Sequence, residues 1–194
     1  MSWKRLFDIV FAAVGLVTFG WLILICWLVA TADTCSNGLF AQVRVGRHGR
    51  LFRVFKIKTM RSSSNYSTTI TLSCDPRITK SGSFLRRSKL DELPQLWNVL
   101  VGDMSFVGPR PDVPGYADRL DINVQTILLS VRPGITGPAS LAYRNEESIL
   151  ATQVDPKAYN DEIIYPNKVI MNLEYIKNWS FSKDLTYIIK TIFG

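Results

Sequence analysis

The sequence is poor in the residues that build covalent or metal-held scaffolds. It has three cysteines, Cys26, Cys35 and Cys74, and one histidine, His48. An odd cysteine count without C-x-x-C spacing argues against a disulfide framework, and the three read as reduced and structural. A single histidine in a turn-like segment supports no Ser-His-Asp or Cys-His scheme and leaves zinc without closely spaced ligands. Internal repeats and linker-like stretches are absent. Acidic residues are the scarcer charge, 16 against 23 Lys and Arg, for a net charge of +7. With 47% hydrophobic and 20% charged residues, the 194-residue chain is not of the disordered kind. Its length suits one domain with an appendage. Its basic balance suits phosphate, whether on nucleic acid, lipid or nucleotide.

Charge is missing altogether from Ile9 to Ala32. As a helix this stretch is about 36 Å long, enough for a hydrocarbon core of about 30 Å, and it is longer than the apolar part of a signal peptide. Lys4 and Arg5 precede it. Arg44, Arg47, Arg50, Arg53, Lys56, Lys58 and Arg61 follow it, with no acidic residue between Asp33 and Asp75. Positive flanks mark the cytoplasmic side, so both ends ask for the same side. A helix that breaks near Gly15, Thr18 and Gly20 and returns would satisfy both; a single-pass anchor is the plainer alternative. Asp8, costly in lipid unless it sits at the interface or pairs with Lys4 or Arg5, reads as an interface residue. The expected division is 1–33 for the membrane element and 34–194 for the remaining domain.

Beyond it, Val43 and Val45, then Phe55 and Ile57, alternate with polar residues around Gly46-Arg47-His48-Gly49. This predicts a β-hairpin with Lys56 and Lys58 on one side, either solvated or touching phosphate. Arg61–Thr79 reads as a loop. Helical stripes fall in Ser83–Leu100, Arg119–Leu129, Ser140–Ala151 and Asn167–Asn178. The tail Phe181–Gly194 is amphipathic, as core or as an interfacial helix.

The densest chemistry lies in Ser88-Lys89-Leu90-Asp91-Glu92-Leu93-Pro94-Gln95. Two adjacent carboxylates stand beside Arg86, Arg87 and Lys89. An ionised carboxylate in such company can attack phosphorus or help hold Mg²⁺. The plainer reading is a capping box, with Ser88 at the N-cap and Asp91 three residues on. Pro94 means that a helix either kinks here or starts here. In Gly108-Pro109-Arg110-Pro111, rigid neighbours limit the entropy lost in aiming a guanidinium at an anion, although a bare turn would look the same. Arg144 is a further cation, or only surface charge.

Taken in order, Lys4-Arg5-Leu6-Phe7-Asp8, Phe55-Lys56-Ile57-Lys58-Thr59-Met60, Leu90-Asp91-Glu92-Leu93-Pro94-Gln95-Leu96, Gly108-Pro109-Arg110-Pro111 and Arg132-Pro133-Gly134-Ile135-Thr136-Gly137 closely resemble the bacterial sugar transferases, the monotopic phosphoglycosyl transferases. The resemblance covers nearly the whole chain. It implies an α+β, mainly helical fold: a re-entrant membrane helix-break-helix and a small cytoplasmic domain with a β-hairpin and amphipathic interfacial helices.

The resemblance also implies an activity, transfer of a phospho-sugar from a UDP-sugar to polyprenyl phosphate with release of UMP. It implies Mg²⁺ and a ping-pong route at the cytoplasmic face of the bacterial inner membrane. Asp91 matches the nucleophile and Glu92 its dyad partner, both with the metal. Lys56, Lys58, Arg86, Arg87, Pro109, Arg110, Pro111 and Arg144 become substrate-binding candidates. The partners are UDP-sugar, polyprenyl phosphate and membrane lipid, without nucleic acid; a homodimer stays open. Two departures stand out: no proline where the family breaks its membrane helix, and Lys58 where the family usually has arginine. The competing class is a non-catalytic, membrane-anchored basic module that binds anionic lipid or nucleic acid.

Overall fold

The computed structural model describes residues 2–61 and 75–193. Most of the loop expected over Arg61–Thr79, and Cys74 with it, lies outside those residues. Helix α1 (Ser2–Thr34) runs unbroken through Gly15, Thr18 and Gly20. The expected helix-break-helix is therefore corrected to one continuous helix. Without proline every backbone hydrogen bond can form, and each glycine costs only about 1 kcal/mol. Gly15 has another use: a Cβ there would stand 3.1 Å from Leu96 Cδ1, so it lets α3 (Gln95–Val101) come close.

α1 has two faces. Trp3, Leu6, Val10, Val14, Val17, Trp21, Leu24 and Leu28 recur at helical spacing and are each at least 47% exposed. It is the one helix among the described residues long and apolar enough, by length and composition, to cross a membrane. The opposite face packs on the rest of the chain. Ala12 joins Val54, Val99 and Met104 in one core cluster, and Cys26 and Ala30 join Ile57 and Leu85 in another.

The charged residues at the start of α1 turn inward. Lys4 donates to the Val107 carbonyl (3.0 Å) and pairs with Asp184. Arg5 donates to the Val99 (2.6 Å) and Leu100 (2.9 Å) carbonyls, where the end of α3 needs donors and favours positive charge. Asp8 is 2% exposed and accepts from the Phe106 amide (3.2 Å). Asp8 is thus held inside the folded body, while Lys4 and Arg5 turn to other partners. A backbone N–H offsets the cost of burying the carboxyl.

The hairpin forms as expected. Strand β1 (Leu39–Val45) pairs antiparallel with β2 (Leu51–Ile57). The turn uses left-handed backbone at His48 and Gly49. Lys56 is in the strand, whereas Lys58 follows its end and its N–H donates to the Gly38 carbonyl (2.7 Å). The outer edge of β2 is closed by a side chain. Asn98, fully buried in α3, accepts from the Phe55 amide (3.1 Å) and donates to the Arg53 carbonyl (2.7 Å), as a neighbouring strand would.

Helix α2 (Lys80–Arg87) begins at the Thr79 cap. Ser88 ends it: the hydroxyl donates to the Phe84 (2.8 Å) and Leu85 (3.2 Å) carbonyls, and Lys89 turns left-handed. The capping-box reading of Ser88 and Asp91 does not hold, because Ser88 closes a helix and opens none. Leu90–Glu92 form a single tight turn, and α3 starts after Pro94 and stops at left-handed Gly102. The sequence pattern did not anticipate the parallel pair β3 (Ser105–Val107) and β4 (Gly134–Thr136). This pair joins two of the motifs, and Gly108, Gly134 and Gly137 meet there backbone to backbone. A Cβ at Gly134 would collide with the Gly108 nitrogen, and one at Gly108 would lie 2.5 Å from the Arg132 carbonyl oxygen.

The C-terminal part is helical: α4 (Ile122–Leu128), α5 (Pro138–Ala142), α6 (Glu146–Ala151), α7 (Pro156–Tyr159), α8 (Tyr165–Lys177) and α9 (Phe181–Phe193). The single helix expected over Ser140–Ala151 is split by a turn at Tyr143–Asn145. α9 is amphipathic, with Leu185, Ile189 and Ile192 outward. On its inner side Asp184 is 2% exposed and accepts from Tyr175 Oη (2.7 Å), Trp179 Nε1 (3.0 Å) and Lys4.

Candidate active site

The hairpin, the elbow between α2 and α3, the Pro109–Pro111 loop and helices α5, α6 and α8 enclose an open cleft of about 1330 Å³. All the site residues expected from the sequence line it: Asp91, Glu92, Lys56, Lys58, Arg86, Arg87, Pro109, Arg110, Pro111 and Arg144. They do not stand alike in it.

Asp91 and Glu92 are adjacent but differently held. Glu92 Oε1 accepts from Lys56 Nζ (2.7 Å) and Arg110 Nη2 (3.1 Å). Burial works against its charge, yet the Lys56 ammonium and Arg110 guanidinium hold its carboxyl well below the usual range. Asp91 is 9% exposed, and its Oδ1 is buried without a hydrogen-bond partner. Burial first, and then the Glu92 charge, push its carboxyl up, while Lys56, Arg86 and Lys89 pull it down. One carboxylate is locked and the other is uncommitted, the division of labour that lets two neighbouring acids do different things.

The cations also divide. Lys56 and the half-exposed Arg110 share Glu92, with Pro109 and Pro111 buried on either side of the arginine. Arg44 donates to the Pro111 carbonyl (3.1 Å) and to Gln42 Oε1 (2.6 Å), and burial and Arg110 lower it to about 10. Arg44, Lys56 and Arg110 thus crowd around Glu92 with more positive than negative charge, a setting for anionic oxygen. Arg86 pairs with Glu147 across the cleft, while exposed Arg87 donates to the Ser83 carbonyl (3.4 Å). Lys58 Nζ donates to Ser36 Oγ (2.7 Å). Arg144 reaches away to the Thr191 carbonyl at the end of α9 (2.9 Å).

Three cleft residues escaped the sequence reading. Arg44 shares its strand face with Phe40, which lies opposite Lys56, so the period of two could have found it. Asp112 follows Pro111 directly; burial pushes its carboxyl up to about 6, and Tyr165 Oη donates to it (3.3 Å). Lys168 bonds both oxygens of Glu146 (2.6 and 2.7 Å), and no local signal pointed to it.

Among the described residues no group of three His, Cys, Asp or Glu side chains forms a metal cage. Mg²⁺ does not need one, since it is commonly held by one or two carboxylates plus substrate phosphates and water. The orphaned oxygen of Asp91 fits that role, and both cation bonds of Glu92 fall on Oε1, leaving Oε2 outside them.

The family model for bacterial sugar transferases matches residues 1–194, and the chain belongs to that family. An undecaprenyl-phosphate galactose phosphotransferase of Salmonella typhimurium is 34% identical over 97% of this chain and 39% of its own length. A UDP-glucose:undecaprenyl-phosphate glucose-1-phosphate transferase of Escherichia coli is 35% identical over 98% of this chain and 39% of its own. The exopolysaccharide production protein ExoY of Rhizobium meliloti is 31% identical over 97% of this chain and 83% of its own. The chain thus spans about two fifths of the length of the first two and most of the third.

Proposed function

We propose that this chain transfers a sugar phosphate from a UDP-sugar to polyprenyl phosphate, leaving UMP and a polyprenyl diphosphate-sugar. The observation that carries the reading is the buried, unpartnered Asp91 oxygen beside a cluster with excess positive charge. The names of the relatives support the substrate classes.

The Asp91 carboxylate oxygen attacks the β-phosphorus of the donor. The bond from that phosphorus to the oxygen bridging to UMP breaks, and UMP leaves with the electron pair. An oxygen of the polyprenyl phosphate then attacks the aspartyl-bound phosphorus, and the Asp91 carboxylate leaves. A covalent relay lets a water-borne and a lipidic substrate use one site in turn. Asp91 would hold Mg²⁺, which supplies neutralisation of phosphate charge when bound. Lys56, Arg110 and Arg44 supply fixed positive charge where it develops. Glu92 keeps Lys56 and Arg110 in place. In this reading the apolar face of α1 and the outer side of α9 rest in the cytoplasmic leaflet of the inner membrane, where the lipid phosphate resides.

The test is turnover of radiolabelled UDP-sugars with short-chain polyprenyl phosphate and Mg²⁺, together with mass spectrometry of enzyme given donor alone. An adduct on Asp91, and Asp91→Asn protein that melts normally but forms no product, are expected. Product formation by Asp91→Asn would refute the nucleophile. Failure of the wild type on every UDP-sugar would refute the activity.

A further inference from the structure

The cleft has a second polar spot that the proposed chemistry does not use. Asn172, on α8, is 7% exposed and lines the cleft wall, yet its Oδ1 is buried without a hydrogen-bond partner. Ser140, on α5, lines the same wall, and its Oγ is likewise buried and unpartnered. α5 and α8 pack against each other, and Val169 and Ala139, apolar and buried, stand next to the two. A buried amide or hydroxyl left without a partner costs about 1–3 kcal/mol, so two on one wall point to groups that a ligand completes.

The chemistry of that ligand follows from the pair. Neither group carries charge, whereas the phosphate end of the cleft is marked by Lys56, Arg110 and Arg44. A carboxamide and a hydroxyl match neutral groups that both donate and accept, which in a nucleotide-sugar are the hydroxyls of the sugar and the edge of the base. We infer that Asn172 and Ser140 form the subsite that reads the hydroxyl groups of the donor's sugar and so sets which UDP-sugar is used. This rests on the transferase reading above.

A site built to bond a hydroxyl rejects the analogue that cannot supply it, because its own polar groups are then left bare. Asn172→Leu keeps the side-chain volume and removes the amide; Ser140→Ala removes the hydroxyl. The experiment measures UMP release from UDP-glucose, UDP-galactose and UDP-N-acetylglucosamine, with UMP binding and thermal melting alongside. For Asn172→Leu we expect kcat/KM for the preferred donor to fall about 10- to 100-fold, with a compressed ratio between preferred and disfavoured donors. UMP affinity should stay unchanged and the melting temperature should not fall. Ser140→Ala should show the same pattern more weakly. Unchanged donor ratios in an active, folded variant would overturn the subsite, and so would a fall shared equally by UMP and all donors, which would place the base there. Wild-type enzyme inactive on every donor would instead defeat the transferase reading itself.

Discussion

Glu92 should matter more for holding the site together than its position beside the proposed nucleophile suggests, and its two neighbours make this measurable. Its side chain is 12% exposed and meets Lys56, itself 21% exposed, at 2.7 Å; Arg110, 46% exposed, is the second partner. Removing one member of a buried pair costs about 3–5 kcal/mol, chiefly because the other is left uncompensated. Glu92→Gln strands Lys56 among Arg44 and Arg110. Arg110 can turn to water, so the low end of that range applies, about 3 kcal/mol. Lys56→Met leaves Glu92 with Arg110 and should cost about half as much. At about 2–4 °C per kcal/mol for a chain of this size, these losses are about 6–12 °C and 3–6 °C. Combining the two should cost less than their sum, since neither charge is then stranded. Tryptophan-fluorescence melts of the protein in one detergent at pH 7 give all four values. Additive losses, or Glu92→Gln melting within 2 °C of wild type, would refute the ion-pair account.

Asp112 gives a pH signature. Burial raises its carboxyl to about 6, so between its ordinary value of 3.8 and about 6 the folded chain binds more protons than the unfolded one. This group's contribution to stability is therefore present below pH 4 and lost as pH rises to 6. Asp112→Asn should be more stable than wild type at pH 7.5, by up to about 3 kcal/mol, and equal to it below pH 4; parallel melting curves across pH would contradict this. Gly134→Ala, with its Cβ driven into Gly108, should lower stability and displace Arg110, so that KM for the donor rises; an unaffected KM would show that the loop absorbs the methyl. Asn98→Leu should free the edge of β2, and amide exchange at Phe55 should accelerate; unchanged protection there would show that the edge does not depend on that side chain.

What the sequence disclosed followed from local rules. Alternation predicted the hairpin, and the spacing of Leu185, Ile189 and Ile192 the stripe on α9. The motif spacings marked Lys56 and Arg110, the two partners of Glu92, but not Arg44 beside them. What stayed hidden depended on distant partners. Nothing near Asp8 in the chain announces the Phe106 amide, and nothing near Lys4 announces Asp184. Glu92 and Asp91 look equivalent in sequence, and they part only because Lys56 arrives from a strand and Arg110 from a loop. The split between α5 and α6 and the parallel β3–β4 pair arise from contacts, not from periodicity. Ser88 misled because a serine that ends one helix resembles a serine that begins another.

Because Lys4, Arg5 and Asp8 are bonded to β3, α3 and α9, the apolar helix is a wall of the folded body as much as a tether. Its rotation about its own axis is fixed, so the depth at which the greasy side settles also sets the height of Asp91 above the lipid. The same bonds tie the order of biogenesis. A polypeptide cut before residue 34 would lose the donors for the last carbonyls of α3, the cation for Asp184 and one side of two core clusters. Such a fragment should aggregate rather than fold as a soluble body, and the remaining elements should complete their packing only with the apolar helix in place.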